Sequence, residues 1–315
     1  MDGTKGMKGT KGTIVVPGGA GFLGRVLREY FSGLGYRVIV LSRGASGSDV
    51  VRWDGENPGD WEATLRGAAA VINLAGRTVN CRYNEKNREE IYESRLKTTK
   101  ALGDAISRCA DPPPVWINSS SATIYRHAED RPMDEATGEI GSGFSVDVCR
   151  KWEAALFAAE TPRTRKVALR SAMVFGPGEE GVHAAFRRIV RIGLGGTLGN
   201  GRQYVSWIHD RDFVRAVHFL LERDDLSGPV NLASPNPLPN AEFMRIFRRV
   251  CRRPIGLPAT RWMLEIGALL LQTETELLLK SRRVVPGKLR DAGFRFDFPE
   301  WEAALSDIVS RETKR

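Results

Sequence analysis

Short, unbroken apolar runs recur along the chain at 13–17, 36–42, 49–53, 69–74, 114–119 and 165–171, with longer segments of mixed polarity between them. Runs of this length without polar alternation predict strands buried on both faces, as in a parallel sheet. The intervening stretches 21–34, 84–109 and 143–160 predict helices. The last shows its buried face directly, because Phe144, Val148, Trp152 and Leu156 recur every four residues. Asp111-Pro112-Pro113-Pro114 ends one helix and leads into the next strand. After residue 171 the pattern changes to turn-rich segments at 176–178, 193–201 and 234–239. Within that part, Asp210–Leu221 predicts a helix capped by its aspartate, and Pro229–Leu232 another core strand.

The first run, Ile14-Val15-Val16-Pro17, leads straight into Gly18-Gly19-Ala20-Gly21-Phe22-Leu23-Gly24. Gly18 and Gly21 suit a tight turn and close approach of the backbone to a pyrophosphate. Phe22 and Leu23 open the following helix, and Gly24 lets it pack against the strand. A second strand, Arg37–Leu41, starts about twelve residues on and completes the start of a β-α-β unit. It ends in Ser42-Arg43, with no acidic residue to take a ribose 2′-hydroxyl. A hydroxyl and a guanidinium there suit a 2′-phosphate, so the expected cofactor is NADP. The predicted fold is α/β, a Rossmann doubly wound parallel sheet with a smaller discontinuous C-terminal lobe. The expected division is a disordered tail at 1–12, an NADP-binding domain at 13–174 plus 209–235, and a substrate lobe at 175–208 plus 236–315. A cleft between lobes is the expected ligand site.

At 315 residues the chain has room for one large domain and a smaller one. Its net charge of +9 raises nucleic-acid binding. The arginines, however, stand in ones and twos among carboxylates, without an aromatic-basic platform or helix-turn-helix pattern, so no nucleic-acid partner is expected. No membrane segment is expected either, since the longest apolar run, 266–271, is far too short. Cys81, Cys109, Cys149 and Cys251 lack metal-type spacing and read as reduced thiols of a cytoplasmic protein with no metal.

Several motifs in order carry a resemblance. They are the glycine fingerprint, Asn73-Leu74-Ala75-Gly76, Ser119-Ser120-Ser121-Ala122-Thr123-Ile124-Tyr125, and Trp207-Ile208-His209-Asp210-Arg211-Asp212. Together they resemble the extended short-chain dehydrogenase/reductases. Ser94–Thr99, Leu194-Gly195-Gly196, Gly199–Gln203 and Pro286–Phe294 are similar to an atypical, epimerase-like branch with its own C-terminal domain of unknown function. The resemblance runs from about Thr13 to Ile308 and implies an NADP-binding Rossmann domain. One departure is plain. The superfamily's Tyr-x-x-x-Lys, in which a lysine lowers the tyrosine pKa, is absent. The residues four positions after the six tyrosines are Leu34, Val40, Asn87, Leu96, Glu129 and Ile208. Ser145-Val146-Asp147-Val148-Cys149 stands where the motif would be.

The resemblance places Ser121 where a hydroxyl bonds the reacting oxygen, and Tyr125, with an ordinary phenol pKa near about 10, is the expected proton donor. Leu74, Ala75 and Gly76 are expected to touch the cofactor as the fourth strand ends, Met173 to lie beside the nicotinamide, and Arg95 to pair with a phosphate. Glu90, sharing a helix face with Ser94, would orient Arg95 or touch the cofactor. Arg202, Gln203, Tyr204 and Trp207 follow a glycine-rich turn and are the expected contacts to a small, anionic or carbonyl-rich substrate. His209 is expected to position a helix. The expected function is hydride transfer between NADP(H) and a small carbonyl or alcohol, with a homodimer as the assembly considered. A second reading is a non-catalytic NADP-binding sensor or regulator, a link to cell division being attached to some relatives.

Overall fold

The computed structural model describes residues 10–44, 47–260 and 276–314. Most of the expected tail and the apolar run at 266–271 lie outside them. Eleven strands are described: β1 (Thr13–Pro17), β2 (Arg37–Ser42), β3 (Val50–Arg52), β4 (Ala70–Asn73), β5 (Val115–Ser121), β6 (Arg165–Ser171), β7 (Met173–Phe175), β8 (Tyr204–Val205), β9 (Trp207–His209), β10 (Gly228–Leu232) and β11 (Leu238–Pro239). The described helices are α1 (Phe22–Gly33), α2 (Glu85–Arg108), α3 (Phe144–Ala158), α4 (Gly181–Arg191), α5 (Asp210–Glu222), α6 (Asn240–Val250), α7 (Glu276–Leu279), α8 (Gly287–Asp291) and α9 (Trp301–Thr313).

The main sheet has seven strands in the order β10-β6-β5-β4-β1-β2-β3. This is the predicted doubly wound order: the chain winds one way from β1 to β3 and the other way from β4. The registers show why the apolar runs are unbroken. Ile14, Val15 and Val16 of β1 lie opposite Val38, Ile39 and Val40 of β2 in parallel, and all six are buried. Helices cover both faces of such a sheet, so alternate positions have no reason to be polar.

Two compact units divide the chain. One comprises Met1–Gly76, Ser94–Ser119 and Ala155–Val167; the other comprises Arg77–Glu93, Ser120–Ala154 and Ala168–Arg315. In the first, β1 and its neighbours carry α1, which buries Gly24, Leu27 and Phe31 against them. In the second, an aromatic core gathers Phe175, Phe186, Trp207, Phe243, Phe247 and Trp301. Phe243 and Trp301 stack at 4.3 Å between ring centroids, which holds α6 to α9. A smaller cluster, including Ile124, Tyr125, Met133, Cys149 and Val284, underlies the turn that follows β5. Among the described residues, no helix is long and apolar enough to cross a membrane.

Candidate functional site

In the first unit the site is built at the carboxyl ends of β1, β2 and β4. β1 ends at Pro17, and the chain turns on Gly18 at a φ of 74°, a left-handed conformation that favours glycine. A Cβ on Gly18 would also lie 2.6 Å from the Ala75 backbone. The glycine therefore lets the 74–76 loop lie directly on the 18–21 turn. That loop is tied down twice more: Leu74 N–H donates to the Pro17 carbonyl at 2.8 Å, and Ala75 N–H to Asn73 Oδ1 at 3.0 Å. Asn73 in turn donates to Asn118 on β5, 2.6 Å away and buried.

Gly24 is required for packing, since its Cβ would meet the Gly19 carbonyl oxygen at 2.1 Å. Gly21 is different. Its φ of −84° suits any residue, and a Cβ there would meet no protein atom within 4 Å. The protein itself does not need that glycine; the space it leaves lies at the first turn of α1, which no side chain caps. Uncapped first-turn N–H groups and the positive end of a helix dipole suit a phosphate. The turn thus fits a dinucleotide's pyrophosphate, with Phe22 and Leu23 in that first turn. Ser42 closes β2 and Arg43 follows it, exposed. Arg95 lies largely buried against Gly76, its Cζ 3.3 Å from where a Gly76 Cβ would stand.

In the second unit the centre is the turn after β5. Ser121 caps the short helical turn Ala122–Ile124, its Oγ accepting from Thr123 N–H at 3.2 Å. That leaves the hydroxyl proton to donate. Tyr125 departs from expectation. It is 1% exposed, its hydroxyl donates to Asn231 Oδ1 at 2.9 Å, and it accepts from Arg170 at 2.9 Å. Arg170 grips Glu153 with two bonds of 2.7 and 2.8 Å, and Ser120 donates to the same carboxylate at 2.6 Å. Burial pushes the Tyr125 phenol up despite the nearby guanidinium. Tyr125 is a structural member of a closed polar network, and the expected proton-donor role does not fit its position. Trp207 needs the same correction: it is 0% exposed, packs on Trp301 at 5.0 Å and donates its indole N–H to the Asn236 carbonyl.

Glu90 ion-pairs with Arg77. Met173 pairs with Trp207 across β7 and β9 and helps line a small cavity of about 10 Å³ with Tyr204, Lys280 and Arg282. Tyr204 carries the Arg283 guanidinium over its ring at 4.4 Å. Arg202 is exposed and pairs with Glu129 at 3.3 Å. Gln203 is 3% exposed; its amide nitrogen donates to the Leu198 carbonyl at 2.8 Å, and its Oε1 has no hydrogen-bond partner among the described residues. It borders a cavity of about 790 Å³ that Asn200, Glu129, His127, Glu276 and Lys280 also line. His209, rather than Asp210, is the N-cap of α5, accepting from Arg211 N–H at Nδ1.

Ser145 and Cys149, standing in place of the tyrosine-lysine pair, are met by residues from near the C-terminus. Ser145 donates to Glu276 at 2.9 Å, and Cys149 is buried. Lys280 donates to the Thr123 carbonyl at 2.7 Å and Arg282 to the Thr123 hydroxyl at 3.0 Å. Sequence reasoning missed these two cations, and also Glu153, Arg170, Asn118 and Asn231. No motif marks them, because the bonds that gather them at the turn span between 17 and 159 residues of sequence.

Residues 14–233 match the NAD dependent epimerase/dehydratase family, and residues 259–308 match a domain of unknown function, DUF1731. The bovine epimerase family protein SDR39U1 is 32% identical over 306 residues, covering 94% of this chain and 99% of that protein. The Mycobacterium leprae epimerase family protein ML0860 is 31% identical, over 96% and 98%. The crystal structure of human epimerase family protein SDR39U1 (isoform 2) with NADPH superposes with a TM-score of 0.85 at 29% identity, covering 95% of this chain and 99% of that one. The glycine turn and the doubly wound sheet accord with these matches, and the chain belongs to the NAD-dependent epimerase/dehydratase family of extended short-chain dehydrogenase/reductases.

Proposed function

We propose that this protein binds NADP(H) and transfers hydride between it and a small carbonyl or alcohol. The observation that carries the reading is Gly21: its missing Cβ leaves ligand space at an uncapped helix N-terminus, and the similar human protein was crystallised with NADPH. Backbone N–H groups at the start of α1 hold the pyrophosphate, Ser42 and Arg43 hold the 2′-phosphate, and Leu74 to Gly76 with Arg95 border the dinucleotide. When bound, NADPH supplies the hydride. In the reducing direction Ser121 donates a hydrogen bond to the substrate's carbonyl oxygen, stabilising the charge that builds there, and the resulting alkoxide takes its proton from solvent water. Met173 lies at the nicotinamide end, and Gln203 and Tyr204 border the substrate. A cytoplasmic location and a homodimer belong to the same proposal.

The absence of Tyr-x-x-x-Lys and the burial of Tyr125 favour one rival, a non-catalytic NADP-binding regulator. Calorimetric titration and a carbonyl panel separate the two. A charged hydrogen bond is worth about 1.5–3 kcal/mol, so NADPH should bind roughly ten- to a hundredfold tighter than NADH, and Arg43→Ala should erase most of that margin. Ser121→Ala should keep NADPH affinity within about threefold and cut turnover by about a hundredfold or more. Equal affinity for both nucleotides would sink the cofactor assignment. Tight NADPH binding with no oxidation across the panel would favour the regulator.

A further inference from the structure

Placing the pyrophosphate at the 18–21 turn fixes which strand ends the adenosine half of the dinucleotide meets. Gly18 N–H donates to the Leu41 carbonyl at 2.9 Å, so the turn and the end of β2 are tied together. β3 is the next strand out. Its pairing with β2 is parallel and sets Val40 opposite Val50, Leu41 opposite Val51 and Ser42 opposite Arg52. Trp53 N–H donates to the Ser42 carbonyl at 3.0 Å, and the Trp53 ring is buried against Trp61 with 5.1 Å between centroids. The register is therefore pinned at its last step, where Arg52 stands. Neighbouring strands lie about 4.8 Å apart, and register partners of a parallel pair share a face. Arg52 thus stands beside Ser42 on one side of the sheet. Alternation sends Trp53 into the core and leaves Arg52 exposed.

Neither Arg43 nor Arg52 makes a hydrogen bond or ion pair among the described residues. The carboxylates around them are engaged elsewhere. Asp49 accepts from Arg37 at 2.8 Å, Asp54 accepts from the backbone N–H groups of Glu56 and Asn57 at 2.9 Å, and Glu56 pairs with Lys97 at 3.3 Å. Two guanidiniums accordingly stand at adjoining strand ends without a described anion between them. A phosphate monoester carries a charge of about −1.5 to −2 at pH 7 and three acceptor oxygens, more than the single fork of Arg43 can satisfy. We propose that Arg52 is a second arginine of the 2′-phosphate site, holding that phosphate from β3 as Arg43 does from β2, and so helps to set the preference for NADP(H). The proposal rests on the NADP(H) reading and adds to it a residue that stands nine positions after Arg43, brought beside Ser42 only by the strand register.

The test is calorimetric titration of the full-length protein with NADPH and NADH, and with adenosine 2′,5′-bisphosphate and adenosine 5′-monophosphate as probes of the adenosine half alone. Arg52→Gln should weaken NADPH and the bisphosphate by about threefold or more, and leave NADH and the monophosphate within about twofold. The thermal midpoint should hold, since the side chain bonds no described residue. Two arginines on one phosphate do not act additively, so Arg43→Ala already loses part of what Arg52 contributes, and the Arg43→Ala/Arg52→Gln protein should bind NADPH and NADH alike. Arg66→Gln is the control for net charge: Arg66 is exposed and precedes the amino end of β4, away from the strand ends that carry the turn. Arg52 is overturned if its variant weakens NADPH by less than about threefold, weakens NADPH and NADH together, or does no more than Arg66→Gln. Equal binding of NADPH and NADH by the unmodified protein overturns the cofactor reading instead, whereas a preference that survives Arg52→Gln removes Arg52 and leaves that reading standing.

Discussion

Ser121 and Tyr125 are four residues apart and do different work. The serine keeps a hydroxyl proton to give, because its Oγ accepts from Thr123 N–H. The tyrosine has spent both its donor and an acceptor site inside the protein, on Asn231 and Arg170. Tyr125→Phe should therefore leave NADPH affinity and turnover within about threefold and lower stability instead. Removing the hydroxyl strands Asn231 Oδ1 and one Arg170 donor in a buried place, at a cost of about 1–3 kcal/mol. Urea unfolding of the variant measures the stability, and a hundredfold loss of turnover with stability unchanged would show that the phenol takes part in the chemistry. Ser121 was singled out through the family resemblance, by its place in the Ser119–Tyr125 motif. The fate of Tyr125 was not, since Arg170 and Asn231 stand 45 and 106 residues further on.

At the scale of the element, the β1 turn and α1 separate two kinds of glycine. A Cβ on Gly24 would sit 2.1 Å from the Gly19 carbonyl oxygen. Gly24→Ala must push helix from turn, and overpacking of this kind costs about 1–3 kcal/mol. Gly21→Ala meets nothing and keeps an allowed φ, so its stability should stay within about 0.5 kcal/mol. Its methyl would instead stand in the ligand's space, and NADPH affinity should fall at least tenfold. Chemical denaturation and nucleotide titration of both variants check this, and a Gly21→Ala protein that binds NADPH normally would remove the pyrophosphate from this turn. The strands around the turn were readable because burial on both faces leaves only one pattern. The later elements were harder to read. β8 and β9 are two and three residues long, too short for any period to show. α6 and α9 owe their stability to Phe243 meeting Trp301, a pairing that the turn-rich composition of that region hides.

For the molecule as a whole, the C-terminal helix is held by a buried charged network centred on His209. Its Nδ1 accepts from Arg211 N–H, which leaves a proton on Nε2 to donate to Asp307 at 3.1 Å. Phe298 stacks on the ring at 3.9 Å, and Arg311 of α9 bonds Asp210. Protonation of Nδ1 would set a donor against the Arg211 N–H. Burial accordingly brings the imidazole from its usual 6.5 down to about 4, overriding the nearby aspartates. The unfolded chain takes up a proton near pH 6.5, whereas the folded chain resists until about pH 4. The contribution is thus fully present above pH 7 and drains away as pH falls through that interval, up to about 3 kcal/mol in all. His209→Asn keeps an oxygen to accept from Arg211 N–H but cannot titrate. Burial also lowers the pKa of His183, which acts in the same direction, but it is present in both proteins and cancels in the difference. Urea unfolding from pH 7 to pH 4 should therefore show the unmodified protein losing stability faster than the variant, the gap opening between pH 6.5 and pH 4. Parallel curves over that range would mean that His209 titrates normally and that the network holds α9 without depending on its neutrality.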